Sequence, residues 1–281
     1  MVRILSDSGC DMTLEYAKSL GVEIVPLKVS FGDELYKDAY DIDHDTFFEK
    51  LIESDVLPQT SQVTPFEYEE FFAKGNEEDE IICITISSKL SGCYGSAVIA
   101  AEDSNRSIFV VDSLNACGGQ RILVERAVQL RDEGLSGAEI AKALDEEKKN
   151  IRIIALLDTL EYLKKGGRIS AAAAMAGTFL SIKPVICISE GEIKVLGKAR
   201  GSKNGCNMLT EFIKKEGPIS FDKPYCLAYS GLSDKTLRKY INDSAALYED
   251  RVEKEKLPIS SIGSAIGTHI GPGGIAVTFF V

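Results

Sequence analysis

The chain has 281 residues, of which 44% are hydrophobic and 27% charged, a composition typical of a globular protein with one or two domains. Its net charge of -11 excludes nucleic-acid binding by bulk electrostatics, because an acidic protein repels the phosphate backbone. Seven cysteines, an odd number without a C-x-x-C pair, give no zinc site or disulfide framework and indicate a reducing compartment.

The N-terminus and the apolar segments indicate a cytoplasmic protein. Asp7 arrives before any apolar stretch that is long enough for a signal peptide. No apolar run approaches the roughly 18 residues of a membrane span. We therefore expect a cytoplasmic location without stable membrane insertion.

The first half of the chain alternates short apolar runs with amphipathic stretches. Brief β-branched runs predict buried strands at Val2–Ser6, Glu23–Phe31, Ile81–Ile86, Ile108–Val111 and Ile151–Leu157. Capping boxes that begin at Thr64 and Ser136, the first followed by Pro65, predict helix starts between these strands. The alternation predicts an α/β fold with a mostly parallel N-terminal sheet and flanking helices.

The second half of the chain predicts a mixed α/β domain. Glu190-Gly191-Glu192 separates two strand-like runs and so predicts a hairpin. Further predicted elements are the helical segments Leu160–Lys165, Ala171–Ser181, Asn204–Lys215 and Ser233–Asp250 and the strands Tyr225–Tyr229, Ile259–Ile262 and Ile275–Val281. Since the parallel pattern gives way to a hairpin after Ile154, we place residues 1–154 in an N-terminal domain and residues 155–281 in a C-terminal domain.

Polar segments follow several predicted strands, at the edge of an open α/β sheet where ligands gather. Asp7, Ser8 and Asp11 follow the first strand, although Asp11 or Thr13 could equally cap the next helix. Residues 59–62 carry more hydroxyls and amides than a turn requires. They lead into a helix N-terminus, which suits an anion.

Two further segments are rich in glycine and serine. Residues 87–97 lead from a strand into a helix whose small residues either admit a ligand or pack tightly on the sheet. Residues 263–274 predict a glycine-rich loop that carries His269 and lines a site. The other histidine, His44, is interpreted as a surface residue. Neither segment is a Walker A or G-x-G-x-x-G loop, so the sequence has no legible ATP or dinucleotide motif.

Eight short motifs, taken in order, resemble the DegV family over essentially the whole chain. They are D-S-x-x-D at Asp7–Asp11, T-S-Q at Thr60–Gln62, S-S-x-L-S-G at Ser87–Gly92, D-S at Asp112-Ser113, G-G-R-I at Gly166–Ile169, I-K-P at Ile182–Pro184, A-R at Ala199-Arg200 and H-x-G at His269–Gly271. The chain departs from the family at Val63, where proline is common, and at Cys93, where threonine is frequent. Neither departure removes an expected ligand contact.

The resemblance implies a two-domain fold that buries the acyl chain of one long-chain fatty acid, such as palmitate, stearate or oleate, with its carboxylate near the domain junction. By position, Thr60, Ser91 and His269 match the family's carboxylate-binding residues. The expected lining or supporting residues are Ser61, Gln62, Gly92 and Gly271. Arg200 matches a residue tied to the partner, and Arg168 resembles part of the same kinase-facing surface, because characterised members are the fatty-acid-binding subunits of a bacterial fatty-acid kinase.

The implied chemistry needs no catalytic residue, metal or cofactor of the chain's own, since the partner kinase would bring ATP and form an acyl phosphate. An apolar slot would hold the acyl chain, and Ala171–Leu180 is either a wall of that slot or ordinary core. One alternative is an esterase or acyl transferase that uses Ser91 with His269, although the sequence has no G-x-S-x-G elbow. Another is a structural or regulatory interaction protein without a ligand.

Overall fold

In a computed structural model, which describes residues 1–170 and 181–281, the first half of the chain forms a parallel sheet. Strands and helices are numbered in chain order. The sheet has the order β2-β1-β6-β7 and consists of β1 (Val2–Asp7), β2 (Val22–Val25), β6 (Glu80–Thr85) and β7 (Ile108–Asp112). The central strands are nearly continuous apolar runs because helices cover both of their faces.

The helices of the first half lie on the two faces of the parallel sheet. One face packs against α1 (Leu14–Ser19), α5 (Gly118–Asp132) and α6 (Gly137–Glu147). The other packs against α2 (His44–Glu53), α3 (Pro65–Phe72) and α4 (Cys93–Glu102). Both predicted capping boxes are formed, and Thr13 rather than Asp11 caps α1. The predicted α/β architecture of this half is confirmed.

A three-stranded antiparallel sheet, in the order β4-β3-β5, lies beside this core. Its strands are β3 (Lys28–Phe31), β4 (Glu34–Lys37) and β5 (Gln59–Ser61). The prediction of a single strand over Glu23–Phe31 is therefore wrong, because β2 and β3 belong to different sheets. The break falls at Pro26, which has no N–H to donate to a strand ladder.

The second half of the chain forms a mixed sheet in the order β10-β9-β8-β13-β11-β12. Its neighbours are antiparallel except for β11 and β12, which are parallel. The strands are β8 (Ile151–Leu156), β9 (Ile182–Ser189), β10 (Glu192–Arg200), β11 (Cys226–Tyr229), β12 (Ile259–Ser261) and β13 (Ile275–Phe280). The predicted hairpin is confirmed: Glu190 and Gly191 both have positive φ between β9 and β10. Ile154, where we expected the boundary, lies inside β8.

The two faces of the mixed sheet have different neighbours. One face packs against α8 (Ser202–Glu216) and α9 (Lys235–Asp243). The other turns toward the start of α5, α7 (Glu161–Lys165) and α10 (Ser264–Ile270). Helix α5 begins directly on this sheet, since a Cβ at Gly118 would lie 2.4 Å from Thr278 Oγ1. One helix thus packs against both the parallel and the mixed sheet.

Three further sequence predictions are wrong, and a fourth lies almost entirely outside the described residues. The glycine-rich loop over 263–274 is wrong, since it contains α10, whose first amides are capped by side chains from elsewhere in the chain. His44 is not a surface residue: its side chain is 12% exposed and binds two backbone carbonyls. Helix α9 ends at Asp243, well before the predicted Asp250. The helix predicted over 171–181 lies, except for its last residue, outside the described residues.

Candidate functional site

A cavity of about 350 Å³ lies between the mixed sheet and the carboxyl-end loops of the parallel sheet. Much of its wall is apolar and comes from β8, β9 and α10. These elements contribute Ile153, Ala155 and Leu157 in and after β8, Ile186 and Ile188 in β9, and Ala265, Ile266 and Ile270 in α10. A pocket of this size and lining suits a ligand with a large apolar part.

The polar residues that line the cavity come from segments far apart in the chain. Thr60 lies on β5, Ser91 precedes α4 and His269 lies on α10, and all three line the cavity. Thr60 Oγ1 is 2.8 Å from His269 Nε2, although the two residues are 209 positions apart. Ser91 Oγ lies 3.2 Å from Cys93 Sγ. The three expected carboxylate contacts thus line one cavity, and we call the part of its lining that they form the polar corner.

The imidazole of His269 is neutral at neutral pH. Burial, and to a lesser extent the positive charge of the nearby Arg168, lower its pKa to about 4. Nδ1 has no hydrogen-bond partner among the described residues, whereas Nε2 faces Thr60. A neutral ring has one N–H, and placing it on Nε2 avoids a buried donor without an acceptor. Thr60 then accepts from His269, and its own hydroxyl proton is available to a ligand.

Two glycines allow α7 and α10 to approach each other closely behind His269. A Cβ at Gly166 would lie 2.2 Å from His269 Nδ1. Gly271 ends α10 with φ +69°, and a Cβ there would lie 2.3 Å from the ring of Tyr162. Gly271 therefore supports the cavity rather than lining it. Gly166 thus lies against the side of the imidazole that faces away from Thr60.

The remaining expected lining residues complete the polar corner. Ser61, Gln62 and Gly92 all line the cavity and are exposed, so the described part of the cavity lies close to the protein surface at this corner. The Gln62 amide donates to Ser96 Oγ at 2.9 Å. A Cβ at Gly92 would overlap the Gln62 side chain, so glycine is required for their contact.

A family model described as the DegV family matches residues 1–281. The chain belongs to the DegV family. A DegV domain-containing protein of Caldanaerobacter subterraneus subsp. tengcongensis is 34% identical over 281 residues, which cover 99% of this chain and 98% of that protein.

Two solved structures are similar to this DegV-family chain over its whole length. A stearic acid-binding protein from Eubacterium ventriosum has a TM-score of 0.86 at 28% identity, covering 100% of this chain and 98% of that one. The B3 protein of Streptococcus pneumoniae fatty acid kinase, loaded with linoleic acid, has a TM-score of 0.85 at 24% identity and covers 100% and 99%. The expected two-part α/β architecture of the DegV fold, parallel sheet first and mixed sheet second, is confirmed by this likeness.

The two arginines of the DegV motifs lie in different surroundings. Arg168 lines the cavity, where its Nε donates to the Leu90 carbonyl at 3.2 Å. Burial lowers its pKa below the usual arginine value. Among the described cavity-lining residues, it is the only one that carries a permanent charge. Arg200 is exposed at the end of β10, outside the cavity lining.

The described residues do not form the serine–histidine pair that an esterase would use. His269 Nε2 faces Thr60, and the hydroxyl of Ser91 is directed to Cys93. No carboxylate among the described residues binds His269 Nδ1, the position at which a triad orients its base. Likewise, residues 1–170 and 181–281 contain no group of three or more His, Cys, Asp or Glu placed to hold a metal ion.

Sequence reasoning placed Asp7 and Ser8 at the site and missed part of the apolar wall. Asp7 is fully buried behind the cavity and accepts from Gly9, Ile86 and Gln120, and burial raises its pKa to about 6. The missed wall includes a row of apolar residues across neighbouring strands, in which Ala276 pairs with Ala155 and Ala155 pairs with Ile186. β8 and β13 show no strict alternation of apolar and polar residues, because both faces of this sheet are covered. The sequence therefore does not indicate which of their side chains face the cavity.

Proposed function

We propose that this chain binds one long-chain fatty acid in the cavity and presents its carboxylate at the polar corner to a partner kinase, which forms an acyl phosphate. The carboxylate would be held at the junction of residues 1–154 and 155–281. The observation that supports this most directly is an apolar cavity whose polar groups, Thr60, Ser91 and His269, line one corner that lies close to the surface.

The energetics of the cavity favour such a ligand. Each methylene group removed from water contributes about 0.8 kcal/mol, so the acyl chain supplies most of the affinity. The carboxylate keeps its charge near the surface, close to the hydroxyls of Thr60 and Ser91 and the guanidinium of Arg168. Hydrogen bonds to an ionised group are stronger than neutral ones, so this corner selects acids over esters. The stearic and linoleic acids bound to the related structures support the same ligand class.

Two observations support the proposed kinase partner. One is the structural likeness to the B3 protein of Streptococcus pneumoniae fatty acid kinase, and the other is the position of Arg200. Arg200 is exposed on an acidic protein and lies outside the cavity. A basic side chain there can contact an acidic surface or a phosphate without contacting the buried acyl chain.

Native mass spectrometry of the purified protein tests the binding half of the proposal. We expect one fatty acid per chain, and after its removal one equivalent of stearate or oleate should bind again. A protein that stays empty when offered either acid would refute fatty-acid binding.

The kinase half is tested with the reconstituted kinase and purified variants. Arg200→Ala should leave fatty-acid affinity unchanged while acyl-phosphate formation collapses. Lys203→Ala, which removes an exposed positive charge three residues away, is the matched control and should retain activity. If Arg200→Ala weakens lipid binding as much as product formation, Arg200 belongs to the pocket and the docking role is wrong.

A further inference from the structure

The segment that leads into α10 is held by two buried aspartates from distant parts of the chain. The Gly263 amide donates to Asp11 Oδ1 at 2.9 Å. The Ser264 amide and hydroxyl donate to Asp38 Oδ1 at 2.9 and 2.5 Å. Gly263 is the N-cap of α10 and has no side chain of its own to cap the helix. The two carboxylates therefore satisfy amides that would otherwise lack an acceptor.

His44, at the start of α2, binds the same segment and a second loop. Its Nδ1 lies 2.7 Å from the Ile262 carbonyl oxygen, and its Nε2 lies 2.9 Å from that of Gly231. Its ring packs against Phe48 and Tyr229, with ring centroids 4.8 and 5.2 Å away. A carbonyl oxygen only accepts, so both contacts are hydrogen bonds at once only when both ring nitrogens carry protons.

Residues 262–264 are thus bound, one after another, by three side chains from the first 44 residues. A helix rises about 1.5 Å per residue, so His269 lies only about 7.5 Å along the axis from Ser264. Any displacement of the start of α10 therefore moves the imidazole. Among the described residues, Oδ2 of both Asp11 and Asp38 lacks a hydrogen-bond partner.

We propose that Asp11, Asp38 and His44 are positioning residues that form a latch, which fixes α10 so that His269 meets Thr60 at the polar corner. None of the three lines the cavity, so the latch acts on a ligand only through the helix. The inference rests on the proposed function, since it assigns the latch to recognition of the fatty-acid carboxylate. It adds residues that share no surface with the ligand and that come from the opposite end of the chain.

The test compares the binding of stearic acid and methyl stearate to delipidated variants. Asp38→Ala removes the acceptor for Ser264, whereas Asp38→Asn keeps an oxygen that can accept from the same amide. His44→Phe removes both ring nitrogens but keeps a ring against Phe48 and Tyr229. We expect Asp38→Ala and His44→Phe to weaken acid binding about tenfold relative to the ester, and Asp38→Asn to restore most of the difference.

Ile241→Val is the control for a general loss of stability, because Ile241 packs on the face of the mixed sheet that lies away from the cavity. It should lower the melting temperature without changing the ratio of acid to ester affinity. The NMR signals of the His269 imidazole give a second readout and should shift in Asp38→Ala but not in Ile241→Val.

The outcomes separate the latch from the proposed function. If the unmodified protein does not prefer the acid over the ester, carboxylate recognition itself fails. If it does, but Asp38→Ala and His44→Phe keep the preference and the His269 signals, the latch is only structural and the inference is overturned. If Asp38→Ala does not fold, His44→Phe still decides the question.

Discussion

Replacing Thr60 by valine tests the geometry of the polar corner most directly. Valine has nearly the shape of threonine, so Thr60→Val leaves the cavity wall in place and removes one hydroxyl. With the His269 proton assigned to Nε2, that hydroxyl accepts from His269 Nε2 at 2.8 Å and has its own proton free for the carboxylate. A hydrogen bond to an ionised group is worth about 1.5–3 kcal/mol, so acid affinity should fall by roughly 10- to 150-fold.

The measurement is displacement of a fluorescent fatty acid by stearic acid, stearyl alcohol and methyl stearate. The acid should lose more affinity than the two neutral ligands, since only the acid presents a charge to the polar corner. Thr60→Ser is the matched control because it keeps the hydroxyl, and it should bind the acid almost as well as the unmodified protein. Equal losses for all three ligands would show that Thr60 merely shapes the wall, and the assigned hydrogen-bond direction would be wrong.

The other predictions concern the surroundings of His269 and the apolar wall. Gly166→Ala should displace the imidazole and weaken acid binding nearly as much as His269→Ala does. Gly95→Ala, at a helical position where a Cβ has open space, is the control and should leave acid binding unchanged in the same displacement assay. The pKa of His269 is about 4 in the folded chain and about 6.5 in the unfolded chain. The free energy of unfolding should therefore fall by on the order of 3 kcal/mol as the pH falls from 6.5 to 4. His269→Gln should lack this part of the slope in urea unfolding at pH 7 and 4.5, and an unchanged slope would contradict the assigned pKa. Arg168→Gln should raise the pKa of His269, as followed by NMR titration, and no change would mean that burial alone sets it. Ala276→Leu should fill the cavity and reduce binding of stearate more than that of a shorter saturated acid, and equal losses in calorimetry would place Ala276 away from the acyl chain.

Local features of the fold could be predicted from the sequence because their causes are local. The capping boxes at Thr64 and Ser136 need residues only three positions apart, and the hairpin at Glu190-Gly191 needs only a turn with positive φ. The break at Pro26 was missed because the apolar pattern continues on both sides of it. There the missing N–H, rather than hydropathy, decides where one strand ends and the next begins.

Features with distant causes were not visible in the sequence. Helix α10 has no start signal of its own, since its cap comes from Asp38, 226 positions away. His44 looks like a surface residue because the carbonyls it binds are 187 and 218 positions distant. The pairing of Thr60 with His269 was expected from the family resemblance alone, because neither spacing nor composition relates two residues at that separation.

The central place of β13 in the mixed sheet has a consequence for the timing of assembly during synthesis. Residues 275–280 lie between β8 and β11, so neither neighbour can complete its ladder before this strand has left the ribosome. Ile275 and Ala276 also form part of the cavity wall. Until translation has passed that point, the strands on either side expose the apolar face that later surrounds the ligand. This cavity can therefore close around a ligand only after β13 has paired with β8 and β11.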